Sequence, residues 1–277
     1  MNYDLAPVSG GVIAGMVFTL IISVGLPVAL CIIAKKKLRA KFSPVFIGAA
    51  TFLLAVLVLE SLAHNVILSS AVGEKIMANT WLYAVYGGAM AALFEESARF
   101  IAMKLCMKKY LTRENAVMYG IGHGGIESVA LVGITYISNV AVVIMINSGA
   151  MNTTLAAMDT AAADALMQQL SSVYTTAPAL FFAAGMERIS AIVLHICLSC
   201  FVYRAVRYGD RRYIALALLV HFAVDAVVVI LNDYINMIAL EVALLLCVTA
   251  LTIFAARLYH RAPQDNYHTE RATNKGN

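Results

Sequence analysis

The sequence predicts an all-α integral membrane protein, a polytopic bundle of about seven transmembrane helices. Three observations carry this expectation. The 277 residues are 61% hydrophobic and only 13% charged, whereas a soluble domain is about half apolar and about a quarter charged. Mean hydropathy is +0.81. Apolar runs of about 20 residues, the length that crosses a bilayer core, follow one another with little between them. The organisation expected is a single transmembrane domain over 1–260, with an outer loop at 150–176 and a disordered cytoplasmic tail at 261–277.

The first run, 10–34, follows residues without positive charge and is long enough to span, so it reads as a retained helix and not as a cleaved signal peptide. Runs at 45–70 and 81–107 follow. The fourth, 115–148, is too long for one simple span and is expected to tilt, break near its glycines or protrude. The last three lie at 177–203, 213–232 and 237–257. Between the fourth and fifth, the Ala-rich segment with Asp159 and Asp164 suits a short amphipathic helix on the outer surface.

Charge orients the ladder. KKKLRAK at 35–41 follows the first run, Lys104, Lys108, Lys109 and Arg113 follow the third, Arg204, Arg207, Arg211 and Arg212 follow the fifth, and Arg257, Arg261, Arg271 and Lys275 follow the seventh. The opposite loops hold only Lys75. The positive-inside rule then puts the N-terminus outside and the C-terminus in the cytoplasm. It also accounts for the net charge of +4 without a nucleic-acid-binding patch. Cys31, Cys106, Cys197, Cys200 and Cys247 all fall in apolar runs, so free thiols are expected and no disulfide framework.

Against this apolar background, ionisable residues stand out, because each costs about 2.5–3.5 kcal/mol near the bilayer centre. Glu95 and Glu96 lie roughly 12 residues in from the basic end of their run, His123 roughly 10, His195 roughly 9, and His221 and Asp225 roughly 9 and 13. Four runs thus deliver carboxylates and imidazoles to one level between the inner face and the midplane. Glu60 and His64 sit further out and can satisfy each other as an E-x3-H pair. Glu187–Arg188 reads as a packing ion pair, and Glu241 as a solvated residue near an outer end.

Spacing refines the site. Arg99 follows Glu95 by four residues and Glu96 by three, so it can neutralise part of the pair. The two carboxylates are too close to ionise independently, a setting suited to general acid–base chemistry. In YGIGHGGIES, His123 and Glu127 are four apart, and Gly120, Gly122, Gly124 and Gly125 leave space for a neighbouring helix, a substrate backbone or a water. HFAVD puts His221 and Asp225 on one helix face. His123, His195 and His221 with a carboxylate would also suit zinc, although HExxH is absent.

Glu95-Glu96 with Arg99, Tyr119-x3-His123 and His221-x3-Asp225, in this order on separate runs, resemble the superfamily of type II CAAX prenyl endopeptidases and their PrsW-like bacterial relatives, and within it the YhfC family of membrane peptidases. The arginine comes one residue sooner than in the prenyl endopeptidases, and Glu127 is an addition; both fit the YhfC branch. The resemblance implies an intramembrane peptidase of a bacterial inner membrane acting on a membrane protein or peptide. Glu95, Glu96 and His123 would activate a water, and His221 and Asp225 would polarise the scissile carbonyl. Glutamic and zinc-dependent versions both remain open. The superfamily also includes a non-catalytic scaffold, and membrane carboxylates and histidines also build proton-coupled transporters.

Overall fold

The structure, a computed structural model, describes residues 5–261. It is helical throughout, with no strand among the described residues. Ten helices follow one another: α1 Gly10–Lys37, α2 Ser43–Leu68, α3 Ala71–Met77, α4 Thr80–Leu105, α5 Arg113–Asn147, α6 Ala150–Ala156, α7 Thr160–Thr175, α8 Pro178–Tyr208, α9 Arg212–Leu231 and α10 Met237–Arg261. Six of them, α1, α2, α5, α8, α9 and α10, are long and apolar enough to cross a membrane. The seventh long helix, α4, has 26 residues and carries Glu95, Glu96, Arg99 and Lys104. The protein is a multi-pass membrane protein, and the seven expected runs correspond to these seven helices.

Helix boundaries follow local chemistry. The side chains of Ser9, Asn79, Thr112 and Asp159 accept from backbone N–H groups of α1, α4, α5 and α7, satisfying donors that have no intrahelical partner. Pro44 and Pro178 sit in first turns, where a missing N–H costs nothing. Gly209 ends α8 with φ +69, the left-handed cap that favours glycine. Pro27 lies inside α1 just after a π-helical stretch, Ile21–Gly25; having no N–H to give, it forces the ladder to re-register there.

At 35 residues α5 spans roughly 52 Å at 1.5 Å per residue, well beyond the bilayer core. Its glycines do not break it; a π-helical stretch at Val129–Gly133 lies just beyond them. The segment expected on the outer surface forms two helices, α6 and α7, where one was expected. Of the expected tail at 261–277, all but Arg261 lies outside the described residues.

The core runs around α8. Two thirds of its apolar stretch is buried (67%), against 17–22% for the other five spans. It packs on α1, α4, α5, α9 and α10, while α5 also packs on α2 and α9 on α4. Large apolar side chains such as Phe46, Val66, Leu219 and Leu246 remain exposed around the bundle, as a lipid-facing surface requires. The basic helix ends are tied together: Lys41 N–H donates to Asn115, Arg113 to the Tyr259 carbonyl, and Arg204 to the Leu258 carbonyl.

A buried carboxylate–histidine centre as candidate active site

Glycine lets the helices that carry the centre close up. A Cβ on Gly122 would lie 2.1 Å from the Val45 carbonyl oxygen of α2, and one on Gly120 would lie 2.7 Å from Cα of Ile196 on α8. The space beside these glycines is therefore taken by neighbouring helices, one of the three occupants that the sequence allows.

Glu95 is the hub. Its Oε2 lies 2.7 Å from Nε2 of His123 and 3.9 Å from Nδ1 of His195, and its Oε1 lies 3.9 Å from Nε2 of His221. Three imidazoles from α5, α8 and α9 thus surround one carboxylate from α4. The ring centroids of His123 and His195 are 4.8 Å apart, and those of His195 and His221 are 5.4 Å apart.

Glu96 is spent on structure. Its Oε1 meets Nδ1 of His221 at 2.9 Å, and its Oε2 accepts from Nε of Arg99 at 3.0 Å. The remaining guanidinium nitrogens of Arg99 donate to Ser199 Oγ at 2.6 Å, to the His195 carbonyl at 3.2 Å and to Nδ1 of His195 at 2.9 Å. A guanidinium only donates, so Nδ1 of His195 accepts and the ring proton sits on Nε2. That nitrogen faces Oε2 of Glu127 at 2.5 Å. The other Glu127 oxygen accepts from Arg188 at 3.2 Å, and Arg188 also pairs with Glu187. Asp225 lies 3.5 Å from Nε2 of His221.

All eight residues singled out in the sequence, Glu95, Glu96, Arg99, His123, Glu127, His195, His221 and Asp225, come together in one centre. Two participants were missed or underrated. Ser199 has no charge to mark it; its one signal is the four-residue spacing from His195. The sequence marks Arg188 only as a packing partner of Glu187, and depth counted along one helix gives no hint of its contact with Glu127 on α5. Glu60 and His64 do pair with each other, at 3.2 Å, with Tyr86 at 2.7 Å from the other ring nitrogen. Glu241 departs from its expected solvation: it is half-buried, and its Oε2 is enclosed without a hydrogen-bond partner among the described residues.

A cavity of about 280 Å³ opens onto this centre, lined by Glu95, Glu127, Arg188, His195, His221 and Asp225. Glu96 and His123 do not line it. The donor set fits a metal ion. Glu95, His195 and His221 are all buried and offer ligand atoms within 4.8 Å of one another. Nδ1 of His221 is held by a carboxylate while Nε2 points at Glu95, the arrangement usual for a metal-bound imidazole. His195 fits once Nδ1 is released by Arg99 or Nε2 by its proton.

Fold and centre together define a class: a multi-pass helical membrane protein with a buried carboxylate–histidine cluster suited to hydrolysis or metal binding. Residues 22–245 match the family described as YhfC intramembrane metalloprotease, and the chain belongs to that family. It is 33% identical over 205 residues to "Uncharacterized membrane protein YhfC" of Bacillus subtilis (strain 168), covering 73% of this chain and 79% of that protein. No solved structure matches.

Proposed function

We propose that the chain is an intramembrane endopeptidase that hydrolyses peptide bonds of membrane-embedded or membrane-proximal substrates at the Glu95–His123–His221 centre. One observation carries the assignment of Glu95 as the proton acceptor. Glu95 lines the cavity and its Oε1 makes no hydrogen bond among the described residues, whereas both oxygens of Glu96 are engaged by Arg99 and His221. In this reading Glu95, steadied by His123, takes a proton from a water as that water's oxygen attacks the scissile carbonyl carbon. The proton then passes to the leaving amide nitrogen as the C–N bond breaks. His221, with a proton on each ring nitrogen, donates through Nδ1 to Glu96 and through Nε2 to the developing oxyanion, a contribution of about 2.7–4 kcal/mol for a single donor in comparable sites.

The family description and the donor set also support a metal. Glu95, His195 and His221 are the residues that would hold it, leaving Glu127, Glu187 and Asp225 as the cavity carboxylates outside that set. A bound zinc ion supplies a Lewis acid and a water that ionises near neutral pH.

A membrane-embedded substrate suits the surroundings. An apolar groove of about 210 Å³ between α9 and α10 shares Val224, Val228 and Leu244 with the cavity. A hydrophobic segment therefore has a continuous wall from the lipid-facing surface to the carboxylates. With the basic helix ends in the cytoplasm, the centre lies in the inner half of the bilayer.

The test is cleavage of a panel of transmembrane-segment reporters in liposomes by wild type, Glu95→Gln, His123→Ala and His221→Ala, with and without a chelator. Loss of cleavage in all three variants is the expected result. Chelator sensitivity reversed by zinc marks the metal-dependent form, and insensitivity the glutamic one. Cleavage that persists unchanged in the variants rules out this centre.

A further inference from the structure

A second cavity lies away from the centre, at the basic end of the bundle. It has a volume of about 550 Å³, about twice that of the cavity at the carboxylates. One wall is a stripe of α4, where Ser97, Phe100, Ile101 and Lys104 line the groove at spacings of three, four and seven residues. These share one helix face and run roughly 10 Å inward from the helix end. The other wall is made by Ala205 and Val206 of α8 and Ile214 of α9. Gly209, in the turn between them, contributes no side chain, and a Cβ there would meet nothing within 4 Å.

The chemistry of this groove is divided along its length. Its inner part is aliphatic and aromatic apart from Ser97, and its rim carries Lys104 and Arg211, both exposed. The one carboxylate of the adjoining turn does not neutralise them. Asp210 is committed to Arg212, accepting from Nε at 2.9 Å and from Nη2 at 2.8 Å. Arg211 makes no ion pair among the described residues, and Lys104 lies over the Phe100 ring at 5.5 Å.

We infer that this groove binds one anionic phospholipid, its phosphate held between Lys104 and Arg211 and an acyl chain laid along Phe100, Ile101, Val206 and Ile214. An apolar slot closed at its wet end by two uncompensated cations matches the two halves of such a molecule, and basic pockets between membrane helices recognise acidic headgroups. The inference does not depend on how the carboxylate–histidine centre is read. The lipid would nonetheless pack against the helix that carries Glu95, Glu96 and Arg99.

The test is native mass spectrometry of the full chain in detergent with equal amounts of palmitoyl-oleoyl phosphatidylglycerol and phosphatidylcholine. Wild type is expected to retain the anionic lipid about tenfold over the neutral one. Lys104→Gln with Arg211→Gln should bring the ratio close to one, and Ile101→Trp, which fills the slot, should lower retention of both lipids. Lys36→Gln with Lys37→Gln removes the same charge from the end of α1 and should leave the ratio unchanged. A wild-type ratio near one overturns the inference, as does a ratio that survives the Lys104/Arg211 change or full retention in Ile101→Trp. An equal fall in the Lys36/Lys37 control would reduce the effect to net charge. Displacement of phosphatidylglycerol by glycerol phosphate at equal concentration would show a free anion site in place of a lipid site.

Discussion

Arg99 and Glu96 form an ion pair at 3.0 Å in which neither side chain has any exposed surface. A buried pair costs much of what its attraction returns, so its persistence calls for a role beyond stability. Here the role is positional. The same guanidinium fixes the tautomer of His195, and the same carboxylate fixes the ring of His221. Arg99→Ala should leave Glu96 buried and alone, lowering stability by about 3–5 kcal/mol. Arg99→Lys should recover part of that, because an ammonium can meet Glu96 but cannot also reach Ser199 and His195 as a planar fork does. Thermal unfolding in detergent reads both. An Arg99→Ala midpoint equal to wild type would show that the pair is not integral to the fold.

The two adjacent glutamates should separate in their effects. Glu95→Gln keeps a hydrogen-bonding partner for His123 and removes the proton acceptor, so cleavage should fall about 10²–10⁴-fold with little change in melting. Glu96→Gln strips Arg99 and His221 of their buried counter-charge, so melting and cleavage should fall together. Parallel reporter cleavage and thermal unfolding distinguish the pair. The reverse pattern, a Glu95 variant that unfolds and a Glu96 variant that stays folded but inactive, would exchange their roles.

Metal loading follows from the same contacts. Wild type exposed to zinc and dialysed should keep about one ion per chain, held by a small set of imidazole and carboxylate ligands. His221→Ala should lose it. Glu96→Gln, which replaces the carboxylate behind Nδ1 of His221 with a neutral amide, should weaken binding by about 10–100-fold. Elemental analysis of the purified protein measures all three. Wild type that takes up no zinc while remaining an active, chelator-insensitive peptidase would leave the donor set to proton transfer alone.

The fold was legible in the sequence because a membrane imposes one ruler on every helix. Apolar length marked the seven long helices, and capping residues such as Asn79 and Thr112 mark where two of them begin. Much of the centre was legible for the converse reason: in an apolar run each charge is conspicuous, and counting inward from the basic ends put Glu95, His123, His195 and His221 at one level. What counting along single helices could not give was which groups face each other across helices. Arg188 reaching Glu127, Ser199 receiving Arg99, and the enclosure of Glu241 depend on helix rotation. The glycines around His123 were visible, but whether they admit a substrate or a helix is decided by which neighbour fills the space.

That question has its own test. A Cβ on Gly122 would meet the Val45 backbone at 2.1 Å, a contact that no rotamer change relieves, and α2 would have to move away from α5. Gly122→Ala should therefore cost about 1–3 kcal/mol, the usual penalty for overpacking. It should also disturb the centre, since His123 is the next residue along α5. Gly87 lies in the interior of α4, where an added Cβ meets nothing within 4 Å. Gly87→Ala should instead gain about 0.5–1 kcal/mol, through the lower conformational freedom of alanine in the unfolded chain. The two substitutions add the same methyl group to helices that both carry the centre, so opposite shifts in thermal midpoint isolate packing from helix propensity. A Gly122→Ala protein as stable as wild type would mean that α2 and α5 do not approach so closely, and the space beside His123 would again be open to a substrate.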